Sequence, residues 1–433
     1  MKALIITSTF PPFAGSHVQR MLKMTNALCD KGIDVSVLTY EINENHPQYD
    51  ESFVQLVNPD INIIRAPLGY FHKKAYSTFK NEVKGKTSEI KGIKQAIYNT
   101  VNKVKKDIFF PDTLVDWYYS VIHFEKKQRI VQKLMPDVII SCSMPNSVHL
   151  IGFKLSKMYG IPLYMDYADP WTYIDDQHIS PKSVRFKRSR RIESRILRHS
   201  IGVSFSAPGC QNLYIQKFGL PIEKTTVAMS GFEERLLLKA NAYNGEKKSR
   251  NKMMLTYGGA LHDYVRNPKP FFEASQGFEN EIDVVIRTDN IVQAKQWLKE
   301  AGGASCIKID GYINFDDYFV EMLSSDVILF FGNMNDIQVP GKIFNCIATG
   351  RYILYIKSND AKIDTVEQIL NAYGRSIVTN NNIRDITNAL NRMITIKDRI
   401  QECDDLTEGN LMQFSDVNQY ENIVTHLRSL LSK

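Results

Sequence analysis

The chain has 433 residues, of which 43% are hydrophobic, enough for two domains of roughly 100–200 residues each. Its six cysteines are widely separated and form no Cys-x-x-Cys pair, which argues against a structural zinc site. The same spacing is typical of a protein of the reducing cytosol. No stretch approaches the roughly 18 apolar residues of a membrane-spanning helix, so any bilayer contact is expected to be peripheral.

The net charge of +7 is concentrated in the first half of the chain. Residues 72–106 contain ten Lys against two Glu, and residues 182–198 contain eight Lys or Arg against one Glu. Such patches attract nucleic acid, anionic membranes or phosphorylated substrates, or they are simply solvated surface. Because no RNA- or DNA-binding signature accompanies them, we predict no nucleic-acid partner.

The chain opens with a β-loop-α-β pattern typical of doubly wound folds. We predict a first strand at residues 3–7 rather than a signal peptide, because Pro11 and Pro12 follow at once without a small-residue cleavage site. A helix over residues 18–31 and a strand over residues 34–39 complete the unit. Gly15, in the loop between them, would let the backbone approach a phosphate or a sugar, although the loop is neither GxGxxG nor a P-loop.

The alternation continues through the first half of the chain. The basic region up to residue 106 is predicted to be helical with loops. Asp166 and Asp169 follow a strand, at the edge of a parallel sheet where sites are expected. Asp169 precedes Pro170, so it could instead cap a turn. Further strands are predicted at residues 62–66, 136–143, 162–166, 201–206 and 226–232, and helices at residues 148–159 and 183–198.

A polar run at residues 242–251 is the best linker candidate, and the alternation restarts after it. Two doubly wound halves facing one another across a cleft are the simplest assembly of this pattern. In the second half, strands are predicted at residues 253–259, 283–287, 306–309, 326–331 and 352–356, with helices at residues 270–277, 291–301, 314–324 and 342–349.

Residues 339–350 form the stretch around which the second half is organised. They follow a fully apolar strand, and Pro340 has a backbone angle suited to the start of a helix. A strand-turn-helix unit of this kind presents backbone N–H groups to anionic ligands, and Lys342 adds a mobile positive charge. The alternative is an ordinary helix that packs on the sheet and leaves its Lys solvated.

Several segments carry a family resemblance when taken in chain order. Residues 10–20 and Asp166-Tyr167-Ala168-Asp169-Pro170-Trp171 resemble the first loop and the Asp-x-x-Asp-Pro-Trp segment of retaining GT-B glycosyltransferases. The resemblance is to glycosyltransferases like those of family 4, and within them to a subgroup that builds bacterial surface polysaccharides. Residues 229–233, 257–261, 266–268 and 339–344 are similar to that family's interdomain segment and nucleotide-binding half.

The resemblance implies an α/β fold of the GT-B type, with two Rossmann-like domains facing across a cleft. It places an acceptor-binding domain at residues 1–240, with a basic insertion at 70–130, and a linker at 241–252. A nucleotide-sugar domain follows at residues 253–410. A C-terminal helix at residues 411–433 is predicted to cross back to the first domain.

The implied activity is metal-independent hexosyl transfer from a nucleotide-sugar, with a UDP-sugar favoured over a GDP-sugar, and no cofactor or bound metal. The developing phosphate charge would be met by cationic side chains and backbone N–H groups. Asp169 is the first candidate for the catalytic group near the acceptor, and His17 is the second. Donor binding is assigned to Gly15, Ser16, Gly259, Arg266, Pro340, Gly341, Lys342 and Asn345.

The sequence departs from the family in its paired glycine, which is reduced to Gly15-Ser16, and at two further donor-site positions. The family's pair of Glu residues is replaced by Ile337 and Asn345. Asn345 could still hydrogen-bond a ribose, whereas Ile337 could not hold a sugar, and Asp336 or Gln338 is a candidate substitute. The lost carboxylates favour one alternative, a non-catalytic GT-B relative that acts as a binding or partner subunit. A sugar-nucleotide epimerase is a second alternative, which rests on the fold alone.

The basic surface gives the expected location. The family's acceptors are saccharides, and we expect one linked to lipid pyrophosphate, as in capsule or lipopolysaccharide assembly. We therefore predict a cytoplasmic protein bound peripherally to the anionic inner face of the cell membrane. The basic residues assigned to membrane or acceptor contact are Lys73, Lys74, Lys105, Lys106, Arg188 and Arg191.

Overall fold

The computed structural model describes most of the chain. The four predicted contact residues Lys73, Lys74, Lys105 and Lys106 lie outside the described residues, as does the predicted helical region that contains them. None of the helices in the described part combines the length and the apolar character needed to cross a bilayer. The described residues are 1–42, 44, 46, 48–69, 109–173, 180–243, 251–262, 266–333, 336–358, 364–402 and 408–432.

The chain divides into two compact units. The first contains residues 1–206, 210–228 and 420–433, and the second contains residues 207–209 and 229–419. The division of the second half from the first therefore lies in the segment after residue 228. Because residues 420–433 belong to the first unit, the end of the chain packs with its beginning.

The first unit is built on a parallel sheet of seven strands, in the order β3-β2-β1-β4-β5-β6-β7. Its central strands β1, β4 and β5 are rich in apolar residues and are buried at every position except Lys2, as expected for strands covered on both faces. The strands are β1 (Lys2–Ile6), β2 (Asp34–Tyr40), β3 (Asn62–Ala66), β4 (Val138–Ser143), β5 (Leu163–Tyr167), β6 (Gly202–Phe205) and β7 (Thr225–Val227).

Helices cover both faces of this sheet. Tyr420, Ile423, Val424 and Leu427 of the last helix are buried in the same core as β1, β2 and β4. The helices that precede the division after residue 228 are α1 (Ser16–Asp30), α2 (Val115–Gln128), α3 (Ile130–Leu134), α4 (Ser147–Tyr159), α5 (Val184–His199) and α6 (Pro208–Phe218), with 3-10 turns at Glu51–Leu56 and Ile222–Lys224.

The second unit has a parallel sheet of six strands, in the order β10-β9-β8-β11-β12-β13. The order reverses between β8 and β11, which makes the carboxyl ends of these two strands the switch point where open α/β sheets bind ligands. The strands are β8 (Met253–Gly258), β9 (Ile282–Arg287), β10 (Ile307–Asp310), β11 (Val327–Phe331), β12 (Tyr352–Lys357) and β13 (Ser376–Asn380).

Two apolar clusters, one on each face of this sheet, form the core of the second unit. The helices of this unit are α7 (Glu234–Asn241), α8 (Lys269–Ser275), α9 (Ile291–Glu300), α10 (Phe315–Ser324), α11 (Lys342–Ala348), α12 (Thr365–Tyr373), α13 (Ile383–Thr395), α14 (Lys397–Glu402) and α15 (Glu408–Met412), with a 3-10 turn at Gln276–Phe278. The last helix, α16 (Asp416–Leu431), begins in this unit and belongs to the first unit from Tyr420 onward.

The two-sheet α/β architecture predicted from the sequence is confirmed, with one strand much shorter than expected. The strand predicted at residues 226–232 ends at Val227. Gly231 then has a φ of +60°, and a Cβ there would collide with the backbone at Asp416, so the chain cannot continue extended. Phe232 instead makes an isolated bridge with Ser415.

Candidate functional site

The first candidate site lies at the switch point of the second sheet, where β8 ends in two glycines. A Cβ on Gly258 would collide with the Tyr318 ring, and one on Gly259 would lie 2.8 Å from the Lys342 Nζ. Gly259 also has a φ of +153°, which favours glycine. The turn therefore brings bare backbone against the Lys342 amine.

The Lys342 side chain is held by aromatic rings rather than by a carboxylate. Its Nζ lies 4.6 Å from the centroid of the Tyr257 ring and 4.8 Å from that of Phe330, and it donates to the Gly258 carbonyl at 3.3 Å. Within the described ranges, no Asp or Glu forms an ion pair with it. The amine is thus oriented but not neutralised.

Two causes lower the pKa of Lys342 to about 7. Burial is the larger cause, and the positive charge of Arg266 is the second. An ammonium in this position loses solvation without gaining an opposite charge. A bound anion would supply that charge, so the site favours an anionic ligand.

Arg266 is the second cation of this site. Its Nη2 donates to Asn333 Oδ1 at 2.9 Å, and Asn333 lies two residues after the end of β11. Its Nε is buried and has no hydrogen-bond partner among the residues that the structure describes. A buried guanidinium nitrogen without an acceptor is costly, which again points to an oxygen-rich ligand.

The remaining predicted donor residues lie around α11. Gly341 caps the start of this helix and lies beside Ser230, since a Cβ on Gly341 would be 3.2 Å from the Ser230 Oγ. Asn345 is half-buried, one turn after Lys342. Pro340 precedes the helix rather than starting it, because α11 begins at Lys342 and has only seven residues.

Asp336, considered as a substitute for the missing Glu, already has a structural partner. Its Oδ1 accepts from the backbone N of Thr365 at 2.8 Å, at the start of α12. One oxygen of this carboxylate therefore stabilises a helix terminus, as an N-terminal capping group does.

The second candidate site is in the first unit, in the loop between β1 and α1. Gly15 caps α1 with a φ of +133°, and its missing Cβ faces open space, so glycine is needed here for conformation alone. Ser16 is the first residue of the helix. The backbone at Gly15 is exposed, as an approach by a substrate would require.

His17 follows this turn and holds a neutral imidazole. Burial, and then the charge of Arg20, lower the pKa of His17 to about 4, although Asp166 opposes the shift. Its Nε2 is buried and has no hydrogen-bond partner in the described part of the chain. At neutral pH this nitrogen is available to a ligand hydroxyl as a donor or an acceptor, depending on the tautomer.

The structure gives the two candidate carboxylates of this edge different roles. Asp166 is fully buried and pairs with Arg20 at 2.8 Å, so it stabilises the unit. Asp169 is half-buried in the loop that follows β5. That loop is anchored before Asp169, where Ser206 donates to the Ala168 carbonyl at 2.5 Å, and after it, where Trp171 N donates to Tyr214 at 2.9 Å.

The basic helix α5 presents an exposed row of cations. Arg188 and Arg191 are both exposed, together with Lys187, Arg190, Arg195 and Arg198. The Arg188 guanidinium lies 4.2 Å from the centroid of the Phe110 ring. The positive charges of these six side chains therefore face solvent.

The structure places Gly259, Arg266, Tyr257 and Phe330 around Lys342. It keeps Gly15 and His17 together in the first unit. In the described residues, no group of three or more His, Cys, Asp or Glu side chains could hold a metal ion. The chemistry that these residues support is recognition of a phosphate-bearing ligand by side-chain cations and exposed backbone.

No family model matches the chain, and no curated protein matches it in sequence. Solved structures match over its whole length. HepE from Anabaena, solved with UDP and glucose, is 14% identical with a TM-score of 0.60, covering 99% of this chain and 100% of its own. The lipopolysaccharide outer core galactosyltransferase WaaB is 13% identical with a TM-score of 0.57, covering 99% of each chain.

The same fold also occurs in another class of enzyme. UDP-GlcNAc 2-epimerase from Neisseria meningitidis is 13% identical with a TM-score of 0.53, covering 99% of this chain and 100% of its own. The chain therefore has the GT-B fold of two Rossmann-like units, as predicted from the sequence. At these identities the similarity establishes the fold and leaves the reaction to the site residues.

Proposed function

We propose that this protein is a retaining, metal-independent glycosyltransferase that moves a hexose from a UDP-sugar to a saccharide acceptor linked to lipid pyrophosphate. The transfer would take place in bacterial surface-polysaccharide assembly, for a capsule or a lipopolysaccharide. The observation that carries the proposal is the Lys342 amine, held over Tyr257 and Phe330 with no carboxylate partner among the described residues. Such an amine is prepared to receive a diphosphate.

The diphosphate would be held by the two cations and the glycine turn. Lys342 and Arg266 provide charge, and the bare backbone at Gly258 and Gly259 permits close approach of phosphate oxygens. The leaving UDP carries the charge that develops during transfer, so this arrangement stabilises the transition state without a cation from solution. Pro340, Gly341 and Asn345 are assigned to the same ligand, with Asn345 on the ribose.

The first unit would bind the acceptor and provide the residues that face the transferred sugar. Gly15 and Ser16 offer backbone near the transferred sugar, and the neutral His17 offers its free Nε2. Asp169, in its anchored loop, is proposed to take the proton of the acceptor hydroxyl or to stabilise positive charge on the sugar. UDP is preferred over GDP because HepE, the structural relative described above, was solved with UDP and glucose.

We further propose that α5 docks the protein on an anionic cytoplasmic membrane. Its exposed row includes Arg188 and Arg191. Each Lys or Arg near such a surface contributes about 1 kcal/mol of attraction. Flotation with phosphatidylglycerol vesicles should exceed flotation with phosphatidylcholine vesicles, and Arg188→Glu/Arg191→Glu should reduce the difference. Equal binding to both vesicles would contradict the docking proposal.

Transfer itself can be tested with radiolabelled sugars. Purified protein is incubated in EDTA with UDP-, GDP- or ADP-sugars and bacterial membranes that contain lipid-linked acceptors, and label in the lipid fraction is counted. We expect incorporation from a UDP-sugar, its loss in Asp169→Asn, and an unchanged anomeric configuration in the product by NMR. Nucleotide binding without transfer would favour the non-catalytic alternative, in which Ile337 and Asn345 have removed activity.

A further inference from the structure

Glu193 on α5 is a buried carboxylate that the proposed chemistry does not use. Its side chain is completely removed from solvent, although the helix around it is strongly basic. Within the described residues, no Lys, Arg or His side chain forms an ion pair with it. Burying a carboxylate without a cation costs several kcal/mol of free energy, which only its hydrogen bonds can offset. The partners in those hydrogen bonds therefore indicate its role.

Those hydrogen bonds hold two consecutive residues of the loop that carries Asp169. Oε2 of Glu193 accepts from the backbone N of Thr172 at 3.2 Å, and Oε1 accepts from the Tyr214 hydroxyl at 2.5 Å. The same Tyr214 oxygen accepts from the backbone N of Trp171 at 2.9 Å. The carboxylate therefore fixes Trp171 through Tyr214 and Thr172 directly.

The other end of the loop is fixed independently. Ser206 donates to the carbonyl of Ala168, immediately before Asp169. Pro170 then restricts the backbone between Asp169 and Trp171. With Ala168 held on one side and Trp171 on the other, the position of the Asp169 backbone depends on the Glu193–Tyr214 contact.

We propose that Glu193 is a positioning residue, which in its ionised form holds the loop at residues 168–172 through Tyr214 and so places Asp169 for sugar transfer. The inference rests on the proposed function, because Asp169 matters only if transfer occurs. As an anion, Glu193 accepts from both donors. As an acid, one oxygen carries the proton and accepts poorly, which releases one of the two anchors.

The surroundings of Glu193 make its ionisation responsive near neutral pH. Burial raises the pKa of Glu193 to about 7. The titratable groups packed around it are uncharged. Burial raises the pKa values of Tyr167, Tyr214 and Cys210. Burial also lowers the pKa of His149, which packs against Tyr167 at a tilted angle and stacks on Trp171, to about 3. A pH change around 7 therefore alters Glu193 before any of these neighbours.

The first test follows the loop without requiring activity. Trp171 is one of three tryptophans, so its fluorescence is isolated by comparison with Trp171→Phe. We expect a fluorescence transition with a midpoint near neutral pH in the native protein and in Glu273→Gln, an exposed control on α8. It should be absent in Glu193→Gln. The same transition in Glu193→Gln would overturn the proposal.

The second test follows transfer from a UDP-sugar as a function of pH. In the native protein, kcat/KM should fall about tenfold per pH unit on the acid side of the midpoint, whereas Glu193→Gln should lack this limb. Tyr214→Phe should lower kcat at about pH 8 and leave UDP affinity within about twofold. Identical pH profiles would overturn the positioning role, while a normal fluorescence transition without any transfer would reject the proposed function instead.

Discussion

The Arg20 guanidinium lies 2.8 Å from the Asp166 carboxylate, and the two side chains retain only 7% and 0% of their exposure. Ser204 donates to the same carboxylate oxygen, and Arg20 also donates to the Ala228 carbonyl and the Tyr420 hydroxyl. One buried ion pair thus joins α1, two neighbouring strands and the last helix of the chain. The first unit is closed by residues 400 positions apart in sequence.

Breaking this pair should destabilise the first unit strongly. We expect Asp166→Asn to lower the free energy of unfolding by about 3–5 kcal/mol, because it leaves the Arg20 charge buried without a partner. The double variant Arg20→Met/Asp166→Leu should regain part of that loss. Urea denaturation measures both, and a single-variant loss below about 1 kcal/mol would mean that the pair is not important for stability.

Nucleotide-sugar binding should weaken with rising pH. The pKa of Lys342 is lowered to about 7, so the free amine is charged below this pH and loses its proton above it. The Kd of a UDP-sugar should therefore rise by up to about tenfold per pH unit above 7. Lys342→Arg keeps its charge and should remove this dependence. A pH-independent Kd in the native protein would contradict the assignment.

A side chain added at the glycine turn should weaken nucleotide binding, whereas one added at a glycine elsewhere should not. Gly259→Ala places a methyl group 2.8 Å from the Lys342 Nζ, at a φ of +153°, and should weaken UDP binding at least about tenfold. Gly303→Ala is the matched control, because it has a φ of +74° and open space around its missing Cβ. It should cost about 1 kcal/mol of stability and leave UDP affinity unchanged. Equal affinities in both variants would exclude close backbone approach.

The pH dependence of stability should change in Glu193→Gln. In the native protein the pKa of Glu193 is raised from 4.5 to about 7. As pH rises, the folded state therefore keeps the proton of this carboxyl after the unfolded state has lost it. Its contribution to stability is therefore greatest at low pH and declines as pH rises towards 7. The unfolding free energy of Glu193→Gln relative to the native protein should grow by about 3 kcal/mol between about pH 4 and pH 8.

This relative measurement is required because two buried histidines act in the opposite sense. The pKa values of His17 and His149 are lowered to about 4 and about 3. Because both side chains are held neutral in the folded state, the protein loses stability as pH falls below 6.5, the ordinary pKa of histidine. Their contribution is common to both proteins and cancels in the difference. A difference that does not vary with pH would show that Glu193 is not held as a protonated acid.

The sheets, and the sheet edge at which Gly259 and Lys342 lie, were predictable from sequence because they depend on local patterns. Continuous apolar runs such as Val327–Phe331 identify buried parallel strands, and glycine or proline at their ends marks the turns. Gly259 and Lys342 each follow such a strand. Since parallel strands end at one edge, both residues could be placed at that edge before any distance was known.

The partners that give these residues their chemistry could not be predicted in the same way. Nothing in the local pattern distinguishes Tyr257 and Phe330 from ordinary core residues, yet they hold the Lys342 amine. Glu193 lies in a helix with seven Arg or Lys residues, a pattern that predicts a solvent-exposed side chain, but the packing of the first unit buries it. Arg20 meets Asp166 only because strands distant in sequence are neighbours in the sheet.

The most direct measurement is calorimetric titration of the purified protein with UDP, GDP and ADP in the presence of EDTA. Lys342→Ala is compared with Lys295→Ala, which removes an exposed lysine from α9. We expect micromolar binding of UDP that weakens at least about tenfold in Lys342→Ala and is unchanged in Lys295→Ala. Absence of binding to any nucleotide, or equal affinity in the two variants, would contradict the donor site on which the proposed function depends.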